Sequence, residues 1–169
     1  MNSGMSGSRK LLIVAGLLLT LWGMSYGIYY ALFDEHQTLA RMGDRLATGF
    51  ARAAEKQMSE AHAALDAYAQ TKFEYVREVD VHSHWTGLAM LLILFGLIFD
   101  YVAFDERKRF YLAAMLVLGS GIFPLGVILQ TVQQGFIPKM LAVGGSGLLI
   151  LALSAVAVGF AYRDRRRER

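Results

Sequence analysis

The chain has 169 residues, of which 55% are hydrophobic and 18% charged, and its mean hydropathy is +0.38. The charged fraction lies below the roughly 25% of a soluble domain, and the apolar residues form long charge-free runs. This pattern excludes an ordinary soluble enzyme, a disordered chain and a fibrous repeat. The sequence contains no cysteine, which also excludes disulfide scaffolds, thiol redox centres and cysteine-ligated metals.

Four apolar segments are long enough to cross a membrane, since about 20 residues span a ~30 Å hydrocarbon core. A cleaved signal peptide is the alternative interpretation of the first, but this segment is too long and lacks an A-x-A site. The sequence predicts an all-α integral membrane protein with four transmembrane helices and an extramembrane helical hairpin between helices 1 and 2. The predicted segments are a cytoplasmic N-terminus at 1–10, spans at 11–33, 85–104, 110–132 and 140–162, the hairpin at 34–84, a cytoplasmic loop at 105–109, a periplasmic loop at 133–139 and a basic tail at 163–169.

The distribution of charge predicts the orientation. Ten basic and five acidic residues lie at the end that carries both termini, whereas the 34–84 segment has six basic and nine acidic residues. The positive-inside rule therefore places both termini in the cytoplasm and the hairpin in the periplasm of a bacterial inner membrane. The basic tail serves this orientation, so no nucleic-acid partner is predicted. Asp100, near the cytoplasmic edge, is expected to reach water or Arg107 and Lys108.

The 34–84 segment has the composition of paired amphipathic helices. It contains no proline and is rich in Ala, Glu, Arg, Gln and Lys, which favour helix. Apolar residues form two stripes at helical spacing, separated by a polar stretch at 55–60. We expect these stripes to pack on each other in a hairpin that rises from the membrane; the alternative is that both helices lie flat on the headgroups. The stripes are Leu39, Met42, Leu46 and Phe50, then Met58, Ala61, Leu65, Tyr68 and Val76.

Three of the four histidines lie near the two ends of this segment. A turn near Met58 would return His36 to the level of His82 and His84 at the foot of the hairpin. Converging imidazoles could hold a transition metal or ligate a haem iron. His82 and His84 point about 200° apart on a regular helix, so a shared site requires extended backbone at 81–84. Interfacial histidines bonded to headgroups, water or carboxylates are the alternative interpretation.

The spans themselves contain few groups capable of chemistry. Gly23 and Gly27 form a GxxxG pattern, which favours close contact between helices within one chain or between chains. Pro124 predicts a kink in the third span. Gln130 and Gln134 follow at its outer end, where they could help to shape a pocket for a quinone head group or haem propionates. An ordinary kinked helix with interfacial glutamines is the alternative.

The functional expectation rests on the histidines. Ionisable residues are absent from the middle of the spans, which argues against a pump, and no common hydrolase or nucleotide-binding motif occurs. We expect an inner-membrane component of an electron-transfer or metal-handling assembly, with no catalysis by the isolated chain. The alternative is a non-catalytic subunit that docks a protein partner through the periplasmic hairpin. Both interpretations are compatible with an oligomer of this chain. The candidate cofactor-binding residues are His84, His36 and Gln130, the candidate metal ligands are His36, His82 and His84, and the candidate cofactors are haem or a transition metal.

Overall fold

The computed structural model describes residues 5–133 and 135–167, with side chains up to residue 162. The described residues are 93% helical and contain no strand, so the predicted all-α fold is confirmed. The five helices are α1 (Gly7–Tyr29), α2 (Glu35–Ala54), α3 (Met58–Ile98), α4 (Glu106–Val132) and α5 (Phe136–Arg167). A π-helical turn at Tyr30–Asp34 joins α1 to α2, and a 3-10 turn at Phe99–Tyr101 follows α3.

The predicted number of spans is also confirmed. Four helical stretches are long and apolar enough to cross a membrane, which makes the chain a multi-pass membrane protein. These stretches are Gly7–Ala54, Met58–Tyr101, Glu106–Val132 and Phe136–Tyr162. The first two stretches are far longer than a bilayer requires, because in each of them the apolar part of the helix continues directly into a charged part.

The helices form two regions. In the first, here called the bundle, α1 packs on α3 from His82 to Gly96, α4 packs on both of them, and α5 packs mainly on α4. In the second, here called the extension, α2 packs antiparallel to the 58–84 part of α3. A short turn at 55–57 joins the two arms of the extension, and Lys56 adopts a positive φ of 61° there. The bundle core consists of Leu12, Leu92, Phe99, Val102, Ala113, Leu116, Leu149, Ala152 and Val156.

Glycines set the close contacts of the bundle. A Cβ on Gly23 would lie 3.2 Å from the Trp85 Cβ, and one on Gly27 would overlap the His82 ring. The GxxxG pattern therefore packs within the chain, between α1 and α3. On the other side of the bundle, a Cβ on Gly145 would overlap the backbone of Phe123. Such backbone approach supplies contact where lipid offers no hydrophobic force between helices.

A polar clamp ties three helices together at the end of the bundle that holds the N-terminus of α1. Asp100 accepts hydrogen bonds from Arg9 at 2.8 Å and from Arg109 at 3.0 Å, and Glu106 accepts from the backbone N–H of Ser8 at 2.8 Å. Asp100 thus pairs with arginines from α1 and α4.

The two basic residues expected beside Asp100 have other contacts. Arg107 lies over the ring of Tyr111, and Lys108 pairs with Asp105. Helix α4 begins beside the clamp because the Asp105 side chain accepts a bond from the Lys108 N–H. The helix then runs through the buried Pro124 without a break.

The contact surface between the two arms of the extension, here called its seam, differs from the predicted contact surface. Its most buried residues are small: Thr38 and Gly49 on α2, and Ala61 and Thr71 on α3. Phe50, which was expected in the seam, is 68% exposed. The predicted stripes therefore pack only in part: Ala61 lies in the seam and Leu65 contacts Gly49, but small residues let the two helices approach and leave most of the large side chains at the edge. The exposed large residues are Leu39, Phe50, Met58, Leu65, Val76 and Val79.

Candidate functional site

Two features of the extension are candidates for function: a polar cluster at its foot and an apolar face along its length. The polar cluster, here called the junction, consists of Tyr26, Tyr30, Asp34, Glu78 and His82. It lies where the apolar part of each long helix gives way to the charged part. All five residues outline the place where α1 and the π turn meet α3.

The π turn positions the junction. Successive buried positions Gly16, Gly23 and Tyr30 are seven residues apart, whereas the next one, Thr38, follows Tyr30 after eight. A seven-residue repeat keeps one face of a helix toward its partner, so the extra residue would rotate α2 away from α3 by about 100°. The π turn absorbs this residue and restores contact. π turns are frequent at functional sites, and this one buries the Tyr30 side chain to 7% exposure.

Glu78 is the unusual carboxyl group of the junction. Burial raises its pKa above the ordinary value, and the nearby carboxylates of Asp34 and Glu74 add to this, while Tyr30 and Arg41 act in the opposite direction. The Tyr30 hydroxyl is buried beside this carboxyl without a hydrogen bond of ordinary geometry. The arrangement favours the protonated form of Glu78, since a carboxylate there faces two others in a partly dry setting.

His82 belongs to the packing between α1 and α3. Its Nδ1 lies 2.9 Å from the carbonyl oxygen of Gly23, and its ring covers Gly27. A carbonyl oxygen only accepts, so Nδ1 is the donor and carries the proton. Only Nε2 of His82 is then left for a ligand.

His84 faces a different helix. Its ring contacts Phe123 on α4, with ring centroids 4.8 Å apart. Residues 81–84 lie inside the continuous α3, so the extended backbone that a shared site requires is not present. The two histidines therefore point to different neighbours, as the helical geometry demands.

His36 is exposed and lies at another level of the molecule. Gly49 packs on Leu65, and Arg45 donates a 2.6 Å bond to the carbonyl of Ala67. This antiparallel register puts His36 level with residue 76, which is about 12 Å along the axis from His84 at ~1.5 Å per residue. The three histidines share one part of the chain, but the structure does not bring them together.

The other predicted ligands do not change this result. Gln130 donates a 3.2 Å bond to the carbonyl of Gly126 in its own helix. Gln134 lies outside the described residues. Within 5–133 and 135–167, no group of three or more His, Asp or Glu side chains has the geometry to hold a metal ion.

The apolar face follows from the handedness of the helices. Each helix turns by about 100° per residue in the same sense. In an antiparallel pair, the residues directly after the seam positions therefore lie on one common side. On α2 these residues follow Thr38, Arg45 and Gly49. On α3 they follow the buried Ala61 and Thr71 and the half-buried Ala64 and Tyr75, so this side of α3 carries the polar His62 and Lys72 as well as two apolar residues. The apolar face consists of Leu39, Leu46 and Phe50 from α2 and of Leu65 and Val76 from α3.

A shallow groove continues the apolar face along α3. It encloses about 470 Å³, and the guanidinium of Arg77 covers the Phe73 ring at 5.1 Å from its centroid. Apolar carbon thus lies beside exposed cationic groups, as at the rim of many protein interfaces. The groove is lined by Tyr68, Ala69, Lys72, Phe73, Val76 and Arg77.

Sequence reasoning found the foot of the hairpin but missed the pair of Tyr30 and Glu78. The hydrophobic periodicity of a sequence does not mark a π turn. The small residues of the extension seam did carry a signal, since Thr38 and Gly49 lie on one helical face. Comparison with protein-family models, with curated proteins and with solved structures found no match.

Proposed function

We propose that this protein is a non-catalytic inner-membrane subunit that docks a protein partner in the periplasm through the apolar face. In this proposal both termini are cytoplasmic, and the extension stands in the aqueous compartment. The observation that carries it is the apolar face itself: large side chains at the edge of a seam built from small ones. A haem or metal role receives less support, because the candidate ligands diverge.

The charge pattern supports the proposed location of the extension. Residues 34–84 carry fifteen charged side chains spread over both arms, and burying even one unpaired charge in hydrocarbon costs several kcal/mol. This spread argues against a lipid-immersed pair of helices. A hairpin that continues the direction of the spans is also favoured over one that lies flat, because α3 runs as one helix from the extension into its apolar span and α2 packs along it.

The size and shape of the apolar face support a helical partner. Leu39 and Phe50 are eleven residues apart, three turns on one helix, and Leu65 and Val76 have the same spacing on the other. Such paired ridges form a shallow channel into which an amphipathic helix can lay its apolar side. Aromatic side chains in such channels commonly contribute most of the binding energy. Phe50 is therefore the expected anchor.

Thiol labelling tests the proposal, because the chain has no cysteine of its own. Phe50→Cys and Val76→Cys should react with a membrane-impermeant maleimide in purified protein and resist it in native membranes. Thr48→Cys is the matched control, since Thr48 is exposed and precedes the seam residue Gly49 instead of following it. It should react in both preparations.

Each alternative gives a different labelling pattern. Protection in vesicles that contain only lipid and this protein would mean that the face lies on headgroups or on a second copy. Disulfide-linked dimers of Phe50→Cys would identify the second copy. Equal reactivity of all three cysteines in native membranes would refute docking, and iron or a transition metal that copurifies with wild type but not with His84→Ala would favour the cofactor role instead.

A further inference from the structure

The clamp end of the bundle carries a second, separate feature. A groove of about 280 Å³ opens sideways between the start of α4 and the end of α5. Its floor and walls are aromatic and aliphatic, and one cationic residue stands at its mouth. The lining residues are Phe104, Lys108, Tyr111, Leu112 and Ala155.

The residues at 105–109 separate into an inward and an outward set. Glu106 and Arg109 face the clamp, where Arg109 pairs with Asp100 and Glu106 bonds to Ser8. Arg107 and Lys108 point outward and are exposed. Their neighbour Asp105 caps α4 through the Lys108 N–H, and this bond lowers its pKa. The outward side of this loop therefore presents two cations to the groove.

One of these cations lines the groove, and the other lies over a residue of its wall. Lys108 lines it and has its Nζ 3.3 Å from the Asp105 carboxylate, a pair that is largely exposed and therefore weak. The Arg107 guanidinium lies over the Tyr111 ring, 5.9 Å from its centroid. Tyr111 is itself part of the groove wall. An occupant with an apolar chain would place any anionic head beside these two side chains.

We propose that this groove binds an anionic phospholipid, with one acyl chain between α4 and α5 and the headgroup phosphate between Arg107 and Lys108. Basic pockets between transmembrane helices are suited to such headgroups, and guanidinium and ammonium groups both bind phosphate strongly. A second groove on the bundle differs from this one because no charged residue lines it. Its lining residues are Met90, Leu91, Ile93, Leu94 and Leu97. That groove accepts an acyl chain without preference for its headgroup.

Native mass spectrometry of the delipidated full chain tests the site with phosphatidylglycerol against phosphatidylcholine. Wild type should retain one phosphatidylglycerol in clear preference. Replacing each cation should reduce that preference about fivefold, so the double variant Arg107→Gln/Lys108→Gln should lose most of it. Lys139→Gln, which changes an exposed cation in the first turn of α5 at the opposite end of the bundle, should retain it.

A second pair of variants separates the groove from general surface charge. Ala155→Phe fills the groove and should abolish retention of the lipid, whereas Ala157→Phe, which is exposed two residues later, should not. Inorganic phosphate should fail to displace the lipid, because the acyl chain supplies part of the binding. Equal losses for Lys139→Gln and the double variant, unchanged binding by Ala155→Phe, or displacement by phosphate would each overturn the proposal.

Discussion

The bundle and the extension both use small residues where helices pack, but they differ in the charge of their remaining surfaces. In both, small residues form the seam: Gly23 and Gly145 in the bundle, Thr38 and Gly49 in the extension. The bundle also buries large side chains, since Leu12, Leu92 and Phe99 are fully buried in its core. Its other large apolar side chains face outward, where lipid covers a membrane span. Between residues 35 and 80 of the extension, by contrast, the buried residues are the small Thr38, Gly49, Ala61 and Thr71, and Phe50 and its neighbours are uncovered.

This difference shows that the same exposed fraction of an apolar side chain has a different meaning in an apolar helix and in a charged one. Leu21 and Phe50 are exposed to a similar extent, but Leu21 lies in an apolar span and Phe50 lies between charged residues. A monomeric soluble surface rarely leaves such side chains contiguous unless they bind something. Substitutions at seam positions and at surface positions of each region test this difference between the two regions.

The largest effect is expected at the bundle seam. Gly145→Ala forces a Cβ into the backbone of Phe123 and should destabilise the protein by about 3 kcal/mol or prevent assembly, because backbone cannot move aside as a side chain can. Gly144→Ala is the neighbouring control, since a Cβ there meets nothing within 4 Å. Thermal unfolding in detergent micelles measures both. Equal midpoints would mean that α4 and α5 are less closely packed than described.

The next effect is expected at the clamp. Asp100→Ala removes a carboxylate that two arginines share. The expected loss is about 1–2 kcal/mol, because the Arg9 and Arg109 side chains are only 28% and 16% exposed although the carboxylate itself is 41% exposed. Glu55→Ala removes an exposed partner of Arg52 in the extension and should cost less than ~0.5 kcal/mol. The same unfolding assay compares them. A larger loss for Glu55→Ala would reverse the assignment of stability to the two regions.

A smaller, pH-dependent effect is expected at the junction. Because the pKa of Glu78 is raised in the folded protein, its contribution to stability is fully present below the ordinary pKa of a glutamate and is lost as pH rises through the raised value. Glu78→Gln imitates the protonated carboxyl and should remove this decline. The decline in local stability can be measured by hydrogen exchange of the backbone amides around residue 78 between pH 4 and pH 8. Asp66→Asn, an exposed change on the same arm, should leave the wild-type profile intact.

The smallest effect on folding is expected at the apolar face. Phe50→Ser should change the stability of the purified protein by less than about 0.5 kcal/mol, because the side chain is mostly exposed there. The same change should remove the protection of Val76→Cys in native membranes. If Phe50→Ser instead destabilises the purified protein as strongly as Asp100→Ala, Phe50 is part of the fold and the docking proposal loses its anchor.

The histidines show where prediction from the sequence stopped. Their place near the ends of charge-free segments was readable, and so was the angle of about 200° between His82 and His84. The level of His36 was not, because it depends on a turn at 55–57 and on the antiparallel register. An error of a few residues in that register moves a side chain by more than one helical turn. Metal ligands cannot tolerate such a displacement.

The sequence by itself determined the number of spans, their helical nature and the long charged helices between the first two. These features depend on hydropathy and on residue types within a single helix, so each segment carries its own signal. The tertiary structure decided which face of each helix packs inward. One extra residue between Tyr30 and Thr38 rotates a helix by about 100°, and the π turn that corrects this exists only because α2 and α3 must stay in contact. Which residues meet across a seam is a property of the pair of helices, and no single stretch of sequence specifies it.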